Sequence, residues 1–198
     1  RSTQSRSSAA SDVYKRQCQT RLHPLDLIPI LSQVVNRFRC RYCKAPYPVW
    51  YALFELGLGL IFLLCSWGFL SLGQVILITA GLTLGIYDFR HQEYPLLVWL
   101  TFHLILMAFS GWNLVMVLFL VLGIVAHFID IRMGAGDFLF LASCAIVFSA
   151  TELLILIQFA SATGILAFLL QKKKERLPFV PFLLLAACVI IFGKLLLV

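Results

Sequence analysis

The chain has 198 residues, 61% of them hydrophobic and 13% charged, against roughly 45–50% and about 25% in soluble domains. A soluble fold of this length has nowhere to bury so much apolar surface, so the composition excludes an ordinary soluble domain and indicates a polytopic membrane protein. The net charge of +7 is concentrated in residues 1–44 and 171–176, which reads as a topology signal and not as a nucleic-acid footprint.

Residues 1–17 are polar, serine-rich and basic, without periodicity. No apolar core follows the charges, so they are not a signal peptide. They read as a disordered or non-native leader, as though the true N-terminus had been lost. Residues 18–48 form a small polar, cysteine-containing segment. Cys40-Arg41-Tyr42-Cys43 is half of a zinc-ribbon knuckle, and Cys18 is a third ligand candidate whose natural partner would fall at position 15, occupied by Lys15. A closed tetrahedral zinc site needs four such ligands, so a structural zinc held by Cys18, Cys40 and Cys43 would be incomplete. The plainer alternative is reduced, unliganded cysteines in a loop beside the membrane. Cys65, Cys144 and Cys188 lie inside apolar runs, where small buried thiols are ordinary.

From Val49 onward the spacing predicts spans at about 49–67, 71–87, 95–110, 113–129, 137–150, 152–170 and 178–197. The expected fold is therefore all-α: about seven transmembrane helices in residues 49–198, preceded by a small cytoplasmic zinc-ribbon-like segment. The connecting segments alternate in charge. Those at 37–44, 88–94, 130–137 and 172–176 carry Lys or Arg, whereas those near 68–71, 110–113 and 150–152 carry none. The positive-inside rule makes the charged side cytoplasmic. Asp88 and Asp137, separated by two spans, then fall on the same cytoplasmic face.

Asp137 ends the stretch Ile131-Arg132-Met133-Gly134-Ala135-Gly136-Asp137, and Asp88 lies in Tyr87-Asp88-Phe89-Arg90. A carboxylate at membrane depth is costly unless it faces protein or water and has a task there. Two adjacent carboxylates cannot both carry full charge, so one serves as base while the other serves as acid. That division suits peptide-bond hydrolysis. Gly134 and Gly136 would let the supporting loop turn sharply and let a substrate backbone approach closely. Each acid also has a plainer reading: Asp137 as a helix cap, Asp88 as an interfacial residue paired with Arg90. Asp130 reads as a helix-end residue. His91, His103 and His127 lack the spacing of a metal pair. Lys172–Lys174 would touch anionic headgroups, and Lys194 would snorkel near the outer face.

Several stretches together resemble type IV prepilin peptidases, membrane aspartic proteases with a Gly-x-Gly-Asp signature. Leu25 to Ser32 with Arg39 to Cys43 is similar to that family's cytoplasmic zinc-binding segment, and Tyr51-Ala52-Leu53-Phe54-Glu55-Leu56-Gly57 to the start of its following helix. Asp88 and Gly134-Ala135-Gly136-Asp137 match its two catalytic aspartates. The short form is most similar to competence-associated enzymes of Gram-positive bacteria. The resemblance implies a plasma-membrane enzyme that removes the basic leader of prepilins or pseudopilins at the cytoplasmic face, in support of pilus assembly, secretion or DNA uptake. It also implies N-methylation of the new terminus with S-adenosylmethionine, linked to the region of Glu55 and Gly57. The implied partners are the prepilin substrate and membrane lipid, with no direct nucleic-acid contact. Two departures stand out: the family usually has a second complete Cys-x-x-Cys pair and a further transmembrane helix ahead of it. A reading from another class is a non-enzymatic small ion- or proton-coupled transporter, or a membrane scaffold, with Asp88 and Asp137 binding a cation or proton.

Overall fold

The computed structural model describes residues 14–15, 20–21, 23, 26, 28, 31–46, 49–91, 94–129, 134–171 and 177–197. Among them are a two-residue antiparallel strand pair, β1 (Tyr14–Lys15) and β2 (Thr20–Arg21), and eight helices. The helices are α1 (Leu31–Val35), α2 (Val49–Ser66), α3 (Leu72–His91), α4 (Leu96–Ser110), α5 (Leu114–Phe128), α6 (Ala135–Val147), α7 (Ala150–Leu170) and α8 (Val180–Leu197). Apart from the strand pair, the described architecture is all-helical, as expected. Cys18, Asp130, Arg132 and Lys172–Lys174 lie outside the described residues.

Helices α2–α8 occupy the seven apolar runs. The largest differences are at the end of α3, expected at 87 but found at His91, so that Asp88 lies within the helix, and at α6, expected at 137–150 but found at Ala135–Val147. Gly134 in extended conformation starts α6 early, and Ser149 ends the run by capping the next helix. Its hydroxyl accepts the Glu152 N–H while the Glu152 carboxylate accepts the Ser149 N–H, a reciprocal capping box. Of the seven, α7 is by itself long and apolar enough to cross a membrane; the apolar stretches of the other six run 10–17 residues.

The chain divides into two compact units, Arg1–Leu63 and Leu64–Val198. In the first, residues 36–46 form a tight turn. Arg37, Phe38 and Lys44 take left-handed backbone angles, the Cys40 N–H donates to the Ala45 carbonyl (2.8 Å), and the Lys44 N–H donates to the Cys40 carbonyl (3.0 Å). Arg39 bridges to Pro46. This turn leaves Cys40 buried and Cys43 exposed.

The second unit is built around α6, which packs against α3, α4, α5, α7 and α8. Phe140 through Ala145 are all buried, and four of those six side chains are small (Ala142, Ser143, Cys144 and Ala145), which lets neighbouring backbones come close. Gly81 of α3 sits tight against Leu184 of α8 and Phe140 of α6; a Cβ there would lie 2.6 and 3.0 Å from them. Leu77 and Leu84 of α3, Leu106 of α4, Leu156 of α7 and Leu183 of α8 complete the core.

Polar pins fix the helices in register. The Trp99 indole N–H on α4 is shared between the Leu139 carbonyl (2.9 Å) and the Ser143 hydroxyl (3.0 Å) of α6. His103 Nδ1 also bonds that hydroxyl (2.9 Å), and the Trp99 and His103 rings stack at 4.8 Å. Asn113 caps α5 by accepting the Met116 N–H (2.7 Å) and donates Nδ2 to the Ala145 carbonyl of α6 (2.6 Å). Glu152 at the start of α7 pairs with Lys194 near the end of α8. Lys194, expected to snorkel near one end of its helix, has an acid partner supplied by another helix.

These contacts show that the helices of the second unit alternate in direction. Gly73 at the start of α3 meets Ser110 at the end of α4 and Val147 at the end of α6. At the opposite end, the last turn of α3 meets the first turn of α8, and the residue before α4 meets the first turn of α6. The outward faces are apolar, with Leu97, Leu114, Phe128 and Leu196 each about 80% exposed or more.

Candidate active site

Asp88 lies in the last turn of α3, and its carboxylate accepts the backbone N–H of Val180, the first residue of α8. Helix N-termini present unpaired N–H groups and partial positive charge, so an anion from a neighbouring helix is stabilised there. Pro181 follows within the first turn of α8, where its missing N–H leaves nothing unsatisfied.

Asp137 is the third residue of α6. Its carboxylate reaches back to the Gly134 N–H, and its own N–H donates to the Gly134 carbonyl (3.1 Å). The N-cap reading open to Asp137 from sequence is thereby corrected: Gly134 holds the N-cap position, and Asp137 sits inside the first turn of α6 with its carboxylate turned back toward the helix start. Gly134, the N-cap, has φ −64° and ψ 135°, and Gly136 is helical. Neither needs the left-handed region. The Gly-x-Gly-Asp stretch is thus a helix start and not an open loop, and the reason for glycine is close approach. A Cβ on Gly136 would lie 2.4 Å from Cδ2 and 2.5 Å from Cγ of Tyr94.

Asp88 and Asp137 come from helices separated by α4 and α5, yet their carboxyls lie close enough to interact electrostatically. Both also act on the Tyr94 hydroxyl. Burial first, and the two neighbouring acids with it, push the Tyr94 phenol well above its ordinary pKa, so it stays protonated. Its hydroxyl is buried and has no hydrogen-bond partner among the described residues.

Tyr94 was not among the residues expected from sequence. The signal available was position: it precedes Pro95, the N-cap of α4, and the alternation that brings both acids to one end brings the start of α4 there too. Arg90, the alternative partner for Asp88, has no described side chain.

The other expected site residues belong to the first unit. Glu55 on α2 accepts a hydrogen bond from the Gln33 side chain of α1 (3.0 Å). Gly57 has open space where a Cβ would stand, so packing does not demand a glycine there. Cys40 and Cys43 share one turn, and none of the described cysteines is in a disulfide. Among the described residues no three His, Cys, Asp or Glu side chains gather. Two thiols supply half of a closed site, so the described residues do not fit a complete structural zinc centre.

Two comparisons with known proteins bear on this arrangement. Residues 4–69 match the family model described as the bacterial Peptidase A24 N-terminal domain. That span takes in most of residues 1–17, the cysteine-containing turn and α2. The chain is also 36% identical over 73 residues to a prepilin leader peptidase/N-methyltransferase of Myxococcus xanthus (strain DK1622), an alignment that covers 35% of this chain and 22% of the relative. The chain thus spans about a fifth of the length of the curated relative it matches. No solved structure matches it. The resemblance to type IV prepilin peptidases read from the sequence is borne out by both comparisons, each over about a third of the chain.

Proposed function

We propose that the chain is a membrane aspartic endopeptidase that removes the basic leader of prepilins or pseudopilins. The observation that carries this reading is the meeting of Asp88 and Asp137 at one end of the helical unit, with each carboxylate already oriented by a backbone N–H. The similarity to a prepilin leader peptidase supplies the substrate class.

In this reading one acid is ionised and the other protonated. The ionised carboxylate takes a proton from water as the water oxygen attacks the scissile carbonyl carbon. The protonated acid hydrogen-bonds the carbonyl oxygen, and the proton removed from water passes to the leaving amine as the C–N bond breaks. The net change is hydrolysis, and the pair ends with the proton count it began with. No metal takes part.

The same proposal has α2–α8 cross the bacterial plasma membrane, with the links bearing Lys and Arg in the cytoplasm. The apolar outward faces of α4, α5 and α8 suit lipid, and burial of the short helices within the bundle suits spans under about 20 residues. A leader of basic residues ahead of a hydrophobic helix would meet the acids on that side. N-methylation of the product is a second activity carried in the name of the relative; Glu55 and Gly57 are its proposed region.

The test is incubation of the membrane-embedded protein with a prepilin-like substrate, followed by mass determination of the product. Loss of the leader, absent in Asp88→Asn and in Asp137→Asn, is expected. Leader loss that persists in both variants would sink the mechanism. A mass gain of one methyl group on the product would establish the second activity.

A further inference from the structure

We infer that Tyr94 is a third catalytic group, whose hydroxyl donates a hydrogen bond to the oxygen of the scissile carbonyl as it becomes tetrahedral. This inference rests on the reading of Asp88 and Asp137 as the acid pair.

A buried hydroxyl without a partner is unusual. Leaving one unmade costs about 1–3 kcal/mol, and each such group in a folded protein calls for a reason. The Tyr94 hydroxyl is buried and unpartnered among the described residues, though a phenol can both donate and accept. Its ring lies against Gly136, the residue before Asp137, so closely that only glycine fits. The two carboxyls that would naturally take its proton in a hydrogen bond are close enough for their charges to act on it. They instead accept the N–H groups of Val180 and Gly134. The donor is therefore held beside the acid pair and unspent.

A substrate oxygen placed between the acids would supply the missing acceptor. Donors fixed in advance where negative charge develops act at full strength in a water-poor site. The phenol keeps its proton throughout: it stays protonated where it sits, and no proton transfer is assigned to it. The glycine at position 136 thus acquires a function beyond helix packing, which is to admit the ring that carries this donor.

The experiment compares kcat and KM for leader cleavage by the wild type, Tyr94→Phe, Asp88→Asn and Asp137→Asn, with thermal unfolding of each in detergent. Phenylalanine preserves the ring on Gly136 and removes only the hydroxyl. The expected result is a fall in kcat of about 10²-fold for Tyr94→Phe, typical of one lost donor, with KM and unfolding unchanged and both Asn variants inactive. A peptide difluoroketone, whose hydrate mimics the tetrahedral species, should bind Tyr94→Phe more weakly, while the parent peptide binds both alike. Incorporation of 3-fluorotyrosine at position 94, which restores a donor, should restore kcat even if the Phe variant folds poorly. Wild-type kcat in Tyr94→Phe beside inactive Asn variants overturns this inference and leaves the acid pair standing. Equal weakening of parent peptide and difluoroketone, or a fluorotyrosine protein as slow as Tyr94→Phe, also overturns it. Active Asn variants overturn both.

Discussion

Replacing Gly136 by alanine would drive a methyl group into the Tyr94 ring. The new Cβ would lie 2.4 Å from Cδ2, 2.5 Å from Cγ and 3.0 Å from Cβ of Tyr94, whereas carbon atoms in favourable contact sit about 3.5–4.0 Å apart. Relief requires a displacement of about 1 Å. The atoms struck are at the root of the ring and not at the tip of a flexible chain, so rotation alone does not clear them. Overpacking of this kind costs about 1–3 kcal/mol, and a shift of about 1 Å in a catalytic constellation lowers rate by about 10²-fold. Gly193→Ala is the matching control, because nothing lies within 4 Å of its added Cβ and alanine is the better helix former by about 1 kcal/mol. Thermal unfolding in detergent and a leader-cleavage assay should show Gly136→Ala destabilised and slow, with Gly193→Ala neutral or stabilised. A Gly136→Ala protein that unfolds and cleaves like the wild type would refute the close approach on which the site is built.

Three further outcomes follow from the same structure. Asn113→Ala removes the α5 cap and the bond from Nδ2 to the Ala145 carbonyl; caps alone are worth about 1 kcal/mol, so chemical unfolding should show a loss of at least that size with cleavage retained. Lys194→Ala breaks an ion pair whose lysine side chain is 54% exposed, and such pairs are worth about 0–1 kcal/mol, so its unfolding midpoint should move little and less still in high salt. Cleavage rate should be bell-shaped in pH: low pH protonates both Asp88 and Asp137 and leaves no base, while high pH ionises both and leaves no acid. A rate that is flat across the acid range would contradict a carboxyl pair.

Much of the architecture was legible because helix position in this chain follows apolar run length. The seven runs and the seven helices α2–α8 coincide to within a few residues, and counting two spans between Asp88 and Asp137 was enough to bring them to one end. The register of α6 was less legible, since capping by Gly134 and Ser149 decides where the helix starts and stops inside a continuous apolar run. Gly134 and Gly136 were singled out for a sharp turn and a close substrate approach, whereas the constraint on Gly136 lies in tertiary structure: the ring that demands a glycine there comes from 42 residues upstream, at Tyr94. The same holds for the pairing of Glu152 with Lys194, which joins two helices across 42 residues. Periodicity reports which side of a helix is apolar; it does not report which neighbour fills a given gap. Tyr94 was therefore visible in sequence only as a residue before a proline.

The central claim is that Asp88 and Asp137 work as one unit, and a double-mutant cycle on the cleavage rate tests it most directly. Groups that act together lose nearly all their effect when either is removed. The account predicts that Asp88→Asn and Asp137→Asn each reduce leader cleavage to the same floor, and that the double variant is no slower than either. Two partial losses that multiply in the double variant, or full activity in either single variant, would contradict it.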